Sequence, residues 1–268
     1  MNIYQKIDLI CERLEGFRLY NPSLSKLSYS GGRDSHLLLF IIRNILKYNN
    51  EQYPAIYAKT HNEFEEIRHR IEEQDITIVD NHRRVFEIFR AEGLPLFGKQ
   101  FSKYFNDVHV KHWNIQLTNE RIKEDFENRC EWAISCGLCL SEKCCALLKE
   151  DILKKHKSRI VGIRREEGGR RSTGRSAEYD FCVKNSKVLF KPIFDITRSE
   201  LGEMEKALKI DPLNIYNYLD RTGCVMCGFG TKKQIAEKIN YLRWYEPSRA
   251  KFYIEYFKEY LKYRKIKF

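Results

Sequence analysis

At 268 residues the chain is long enough for one large domain, or one domain with a small appendage. Hydrophobic residues at 43% and aromatics at 13% exclude global disorder, and no window nears the ~20 apolar residues of a membrane span. Lysine and arginine outnumber aspartate and glutamate by 48 to 37, and the net charge of +11 favours an anionic partner, nucleotide or nucleic acid, or else marks a solvated basic surface.

Residues 2–20 place Ile3, Ile7, Ile10, Leu14 and Phe17 at helical spacing. The charges among them (Lys6, Asp8, Glu12, Arg13, Glu15) leave no apolar core of a signal peptide, so a cytoplasmic protein is expected. A short strand follows from Leu24 to Tyr29, then a glycine loop, then a buried helix from about Asp34 to Tyr48. Pro54–Thr60 predicts a second strand, Asn62–Glu73 a charged helix and Asp75–Val79 a third strand. Residues 81–135 are rich in aromatics and predict a helical insertion. Arg159–Ile163 predicts a further strand, and Lys187–Phe194 an extended segment interrupted by Pro192. Thr197 and Glu200 form a capping box opening a helix to Leu208, and 232–241 and 247–263 predict two more helices. This alternation predicts an α/β fold: a doubly wound, mainly parallel sheet flanked by helices, with right-handed crossovers. The expected division is a nucleotide-binding domain over 1–230 and a helical extension over 231–268.

The loop Ser28-Tyr29-Ser30-Gly31-Gly32-Arg33-Asp34-Ser35 carries the clearest chemistry. Glycines let the backbone turn tightly and approach a ligand, and loop N–H groups ahead of a helix form a concave anion site. Ser30 and Ser35 add hydroxyls, and Asp34 can cap the helix or hold a metal such as Mg²⁺ beside phosphates. No Gly-Lys-Ser/Thr follows, so this is not a Walker loop. The plain alternative is a Gly-Gly turn before a core helix.

Nine cysteines in a chain expected to be cytoplasmic point to metal or redox chemistry rather than disulfides. Most lie in two places: Cys130 to Cys145, containing Cys136-x-x-Cys139 and the doublet Cys144-Cys145, and the loop Gly223-Cys224-Val225-Met226-Cys227-Gly228. Two C-x-x-C pairs would make a four-thiolate zinc site from Cys136, Cys139, Cys224 and Cys227. Cys11 and Cys182 read as small core residues.

The Ser30–Ser35 segment resembles the SGGxDS signature of PP-loop nucleotide enzymes. The doublet Cys144-Cys145, separated by 78 residues from Cys224-x-x-Cys227, resembles the 4Fe–4S motif of adenylyl-sulfate reductases. Lys143 to Lys149 is similar to their Cys-Cys-x-x-x-Lys segment. Val161-Gly162-Ile163-Arg164-Arg165-Glu166-Glu167, with Arg170 and Arg171 beyond, is similar to their G-x-R-x-x-E-x-x-R stretch. Arg221 to Gly230 is similar to the RTGCxxCxFG ending of phosphoadenosine-phosphosulfate-reductase-like proteins. Together these identify the chain as similar to that family within the adenine nucleotide alpha-hydrolase superfamily, over about Leu24 to Gly230.

The resemblance implies an adenine nucleotide, ATP or adenylyl sulfate, held by Ser28, Ser30, Gly31, Gly32, Arg33, Asp34, Ser35, Thr60, Glu63, Gly162, Arg164, Arg170 and Arg171. It implies catalytic roles for Asp34, Arg164 and Arg165, with Mg²⁺ among the phosphates. It implies a 4Fe–4S cluster on Cys144, Cys145, Cys224 and Cys227, with zinc and Cys136 and Cys139 as the alternative. The arginines also read as a solvated turn, and Asn62 with Glu65 as an ordinary helix cap. Sulfonucleotide reductases attack with a cysteine in a Glu-Cys-Gly-Leu-His motif, and no cysteine follows Cys227 here. The favoured expectation is therefore cleavage of ATP to AMP and pyrophosphate to adenylate a substrate, with sulfur transfer to tRNA or DNA as one outcome. Reduction of a sulfonucleotide by a non-standard thiol, and a nucleotide- and cluster-dependent nucleic-acid-binding regulator, are the alternatives. A sulfur donor or reductant protein would be a partner, no membrane partner is expected, and the oligomeric state stays open.

Overall fold

The computed structural model describes residues 1–80, 82–114, 117, 119–167, 181–184 and 187–268. Arg170 and Arg171 lie outside the described residues. In chain order the elements are α1 (Ile3–Tyr20), β1 (Leu27–Tyr29), α2 (Arg33–Phe40, continued by a π turn to Ile45), β2 (Ala55–Lys59), α3 (Glu65–Glu72), β3 (Thr77–Asp80), α4 (Val85–Glu92), β4 (Leu96–Phe97), α5 (Lys99–His109) and α6 (Glu120–Ser135). They continue with α7 (Asp151–Lys155), β5 (Ile160–Val161), β6 (Phe181–Lys184), β7 (Lys187–Phe190), α8 (Arg198–Ala207), β8 (Gly228–Phe229), α9 (Lys232–Tyr245), α10 (Pro247–Tyr256) and α11 (Lys258–Tyr263). None of the described helices is long and apolar enough to cross a membrane.

The chain forms two compact units. The first comprises Met1–Lys59, Glu66–Asp80 and Asp151–Asn214. Its six-stranded sheet has the order β3-β2-β1-β5-β7-β6, parallel except for β6 against β7. The fold is α/β with a mainly parallel sheet, as the sequence predicts; β6, which the sequence pattern does not announce, adds the antiparallel edge. Four of the five β2 residues are buried, the pattern of a parallel strand covered on both faces. An Asn2–Gln5 capping box opens α1, whose stripe Ile7, Ile10, Leu14 and Phe17 is buried. Each such side chain contributes about 1.5–3 kcal/mol over leaving it exposed. Phe17 stacks on Phe190 of β7 with centroids 4.4 Å apart. Thr197 and Glu200 form the predicted capping box of α8.

Strand order positions the site. From β1 the chain winds outward through β2 to β3, then returns to place β5 on the other side of β1. The direction of winding therefore reverses between β1 and β5, and loops at the carboxyl ends of two such strands enclose a ligand crevice. Those loops are 30–32 and 162–167.

The second unit comprises Thr60–Glu65, Asn81–Glu150 and Ile215–Phe268. It joins the helical insertion and the C-terminal helices in one body. A two-residue parallel pair, β4 with β8, ties them. Tyr260 accepts a bond from the Phe97 amide at 3.0 Å and donates to the Gly228 carbonyl at 3.0 Å. Phe97 packs edge-on against Phe101, Trp132, Tyr260 and Tyr263. Phe89, Phe97 and Phe105 are thus core for this unit, whereas Trp113 is 58% exposed.

Candidate functional site

Two constellations stand out, one in each unit. In the first unit, Gly31 adopts φ +74°, and a Cβ there would lie 2.9 Å from Ile67 of α3, so only glycine fits this turn. The Ser30 amide donates to Ser35 Oγ at 3.2 Å, the two hydroxyls meet at 3.0 Å, and Ser35 Oγ donates to the Gly32 carbonyl at 3.1 Å. This web fixes the loop's shape before any ligand arrives. Gly32 is the N-cap of α2 and supplies no side-chain cap; its amide donates to Ser30 Oγ at 3.4 Å, and Asp34 lies in the first turn.

The turn after β5 closes on this loop. Gly162 lies against the first turn of α2, and Arg164, 9% exposed, pairs its Nε with the Asp34 carboxylate. Its Nη1 donates to Glu166 at 3.2 Å, and its own amide donates to Glu167 at 3.0 Å. Burial raises the Asp34 pKa, with the Arg164 charge and hydrogen bond opposing and the Glu167 charge adding to the rise. His36, one turn into α2, is held neutral: burial and then the Arg70 charge lower its pKa to about 4. Its ring bonds the Tyr29 hydroxyl at 3.1 Å.

Several residues expected at the nucleotide are employed elsewhere. Arg33 forms an ion pair with Glu205 of α8, with Nε 3.0 and 3.1 Å from the two carboxylate oxygens. Ser28 lies within β1, its hydroxyl 2.9 Å from that of Ser158. Arg165 is exposed and lies over the Phe194 ring at 5.1 Å. The loop motif fixes where the backbone turns, but the direction of each side chain is set by partners far away in sequence.

In the second unit, Thr60, Asn62 and Glu63 form a capping turn. Glu63 accepts from the Thr60 amide at 2.9 Å and from the Asn62 amide at 3.0 Å. The bond from the Thr60 hydroxyl also ends on Glu63. Thr60 is fully buried. Asn62 reaches the C-x-x-C loop instead: its carbonyl accepts from the Val225 amide at 2.8 Å and its Oδ1 from the Met226 amide at 2.9 Å. Its Nδ2 is buried with no hydrogen-bond partner among the described residues.

Around that loop the structure gathers Cys144, Cys145, Cys224 and Cys227. Burial first, and then the charges of Cys224, Cys145 and Cys227, push the Cys144 thiol up. Burial and then Cys224 do the same to Cys145. Burial also raises Cys227, with the Lys238 charge opposing. The Lys149 ammonium is held charged chiefly by Cys224, to which it hydrogen-bonds. Lys238 of α9, 8% exposed, donates to the Cys227 carbonyl at 2.7 Å and the Cys224 carbonyl at 3.4 Å. Tyr253 of α10 donates to the same Cys227 carbonyl at 3.2 Å. Sequence reasoning missed Lys238, although it sits on the buried stripe between Ile235 and Leu242, where a lysine needs a partner.

Cys136 and Cys139 are exposed and stay apart from this quartet: Cys139 feels Lys143 and Glu92, and its Sγ is 3.8 Å from the Glu92 carbonyl. Among the described residues, no group of three or more His, Cys, Asp or Glu side chains is placed to hold a metal ion. By residue type alone, four sulfur donors with two lysines nearby are what a polynuclear iron–sulfur group takes.

No family model and no curated protein matches the chain. Among solved structures it is similar to the FMN adenylyltransferase of Candida glabrata, crystallised with FAD and inorganic pyrophosphate. The identity is 12% and the TM-score 0.36, over 84% of this chain and 73% of that one, and a likeness so slight carries no argument about chemistry.

Proposed function

We propose that the first unit is a PP-loop-type ATP site that splits ATP between the α and β phosphates and transfers the adenylyl group to an acceptor. The observation that carries this reading is the closure of Gly162 and Arg164 on the Ser30–Ser35 loop, at the point where the sheet reverses its winding. The acceptor's nucleophile would attack the α-phosphorus as the bond to the bridging α–β oxygen breaks, and pyrophosphate leaves with the electron pair. Loop amides and the start of α2 favour the negative phosphates. Arg164 has Nε and Nη1 bound by Asp34 and Glu166, which orients the guanidinium and leaves Nη2 for a phosphate oxygen as charge builds on the leaving group. Asp34 is the loop carboxylate that would meet Mg²⁺, which when bound neutralises phosphate charge.

In this reading Cys144, Cys145, Cys224 and Cys227 would hold a 4Fe–4S cluster, which when bound supplies a centre able to hold or pass sulfur or electrons. Lys149 and Lys238 would balance the thiolate charge, and Asn62 Nδ2 would donate toward it. The basic net charge supports a nucleic acid as the acceptor.

The test is an assay of anaerobically purified protein with ATP labelled at the α and γ positions, with and without bulk RNA or DNA. Pyrophosphate is expected, with the adenylyl group on the acceptor or freed as AMP once water or a second nucleophile displaces it, and Arg164→Ala should slow pyrophosphate formation by about 100-fold or more. ADP and phosphate as products would overturn the reading. Sulfite release from adenylyl sulfate in the same preparation would replace it by the reductase reading.

A further inference from the structure

A groove of about 510 Å³ runs between the exposed face of α9 and residues 265–268. Lys232, Lys233, Arg243, Lys265 and Lys267 line it. Among the described residues, the ion pair made by these five is Lys233 with Glu237 at 3.7 Å; the other four cations have none. On α9 the lining positions 233, 236, 240 and 243 recur at helical spacing, so one face is presented. Four unpaired like charges in one concavity repel one another and are relieved by a bound polyanion.

The groove's other members narrow the polyanion. Its lining also includes Ala236, Asn240 and the buried Ile266, with no broad apolar face to enter a lipid surface. Phe268, 39% exposed, lies in the lining, and Trp244, 79% exposed, follows Arg243 one turn beyond Asn240. Cations beside solvent-facing rings suit a phosphodiester backbone whose bases stack on aromatic side chains.

We propose that this groove binds a single-stranded nucleic acid, the cations contacting consecutive phosphates and Trp244 and Phe268 receiving bases. The groove would hold the acceptor; that role rests on the adenylyl-transfer reading, whereas the binding itself does not.

Fluorescence anisotropy with labelled 12-nucleotide RNA and DNA strands tests it on the full chain at 50 and 200 mM salt. The wild type should bind at least one strand, more weakly at the higher salt. Arg243→Gln/Lys265→Gln/Lys267→Gln should bind at least tenfold more weakly at 50 mM salt, and its log–log salt slope should flatten by about 2, at roughly 0.7 per phosphate contact. Trp244→Ala should weaken binding several-fold with the slope unchanged. Lys154→Gln/Lys155→Gln/Lys206→Gln, which removes as many exposed cations from the first unit, should bind within twofold of wild type. The proposal is overturned by a wild type that binds neither strand, by groove variants that bind normally, or by an equal loss in the control. It is overturned too if vesicles containing phosphatidylserine bind through these residues while oligonucleotides do not. Because binding is read without ATP, failure of ATP cleavage leaves the groove standing, and a groove that fails leaves ATP cleavage to be judged separately.

Discussion

Gly162 lies so close to Asp34 that a β-carbon on it would be 2.8 Å from the Asp34 carbonyl carbon and 2.9 Å from the Ser35 amide nitrogen. Backbone, not a flexible side chain, occupies that space, so Gly162→Ala must push the β5 turn away from the first turn of α2. The expected cost is about 1–3 kcal/mol, the range for overpacking a tight site. ATP affinity should fall as well, because Arg164 travels with the turn. Thermal unfolding with and without ATP measures both; an unchanged melting temperature and an unchanged ATP-induced shift would show that the contact is not needed.

Arg33 and Glu205 separate stability from binding. Glu205 is 8% and Arg33 19% exposed, so removing one partner strands a charge in a poorly solvated place. Arg33→Ala should destabilise the first unit by about 3–5 kcal/mol. The folded fraction should still bind ATP within about threefold of wild type, since the guanidinium is engaged away from the loop. A large loss of affinity without a loss of stability would return Arg33 to the nucleotide site.

Asp34 should give stability a pH dependence of known sign. Its folded-state pKa is raised, chiefly by burial, so the native protein keeps that proton to higher pH than the unfolded chain. The ionised carboxylate therefore lowers stability as the pH rises above the ordinary carboxylate value of about 4. Relative to Asp34→Asn, the nucleotide-free wild type should become less stable between about pH 4 and pH 7. Urea unfolding of both proteins across that range checks it, and a difference that moves the other way would mean that Arg164 outweighs burial. Asp34→Asn should meanwhile abolish pyrophosphate formation, the trade of stability for function expected of an active-site group.

What the sequence made legible depended on how local each signal was. The amphipathic stripe of α1, the Thr197–Glu200 cap and the turn at Gly31-Gly32 are written in residues a few positions apart, and all stand in the structure. Side-chain direction was not local. Arg33 lies beside the loop in sequence, yet its partner Glu205 is 172 residues away. Thr60 and Glu63 turned out to cap one another, and neither the Asn62 bridge to Met226 nor β6 had a nearby pattern to reveal it. The cysteines were legible as two groups, and the choice of the doublet over Cys136 and Cys139 is a proposal, supported by the exposure of that pair.

That selection yields the last prediction. After anaerobic reconstitution with iron and sulfide, Cys145→Ser or Cys224→Ser should lose most bound iron and acid-labile sulfide, along with absorption near ~400 nm. Cys136→Ser/Cys139→Ser should retain them, because both thiols are exposed and Cys139 sits with Glu92 and Lys143. Lys238→Met sharpens the test. Burial opposes the Lys238 charge, and the Cys227 and Cys224 charges favour it, so the ammonium is best justified when thiolates are present. The metal-free variant should unfold at or above the wild-type temperature, whereas the reconstituted variant should lose iron faster to a chelator. Tyr253→Phe, which removes one hydrogen bond to the same carbonyl, should cost about 1 kcal/mol in both forms and serves as the neutral comparison. Equal chelation rates for Lys238→Met and Tyr253→Phe would reduce Lys238 to a structural clamp on the C-x-x-C turn. Full iron retention in Cys224→Ser would remove the quartet as a metal site.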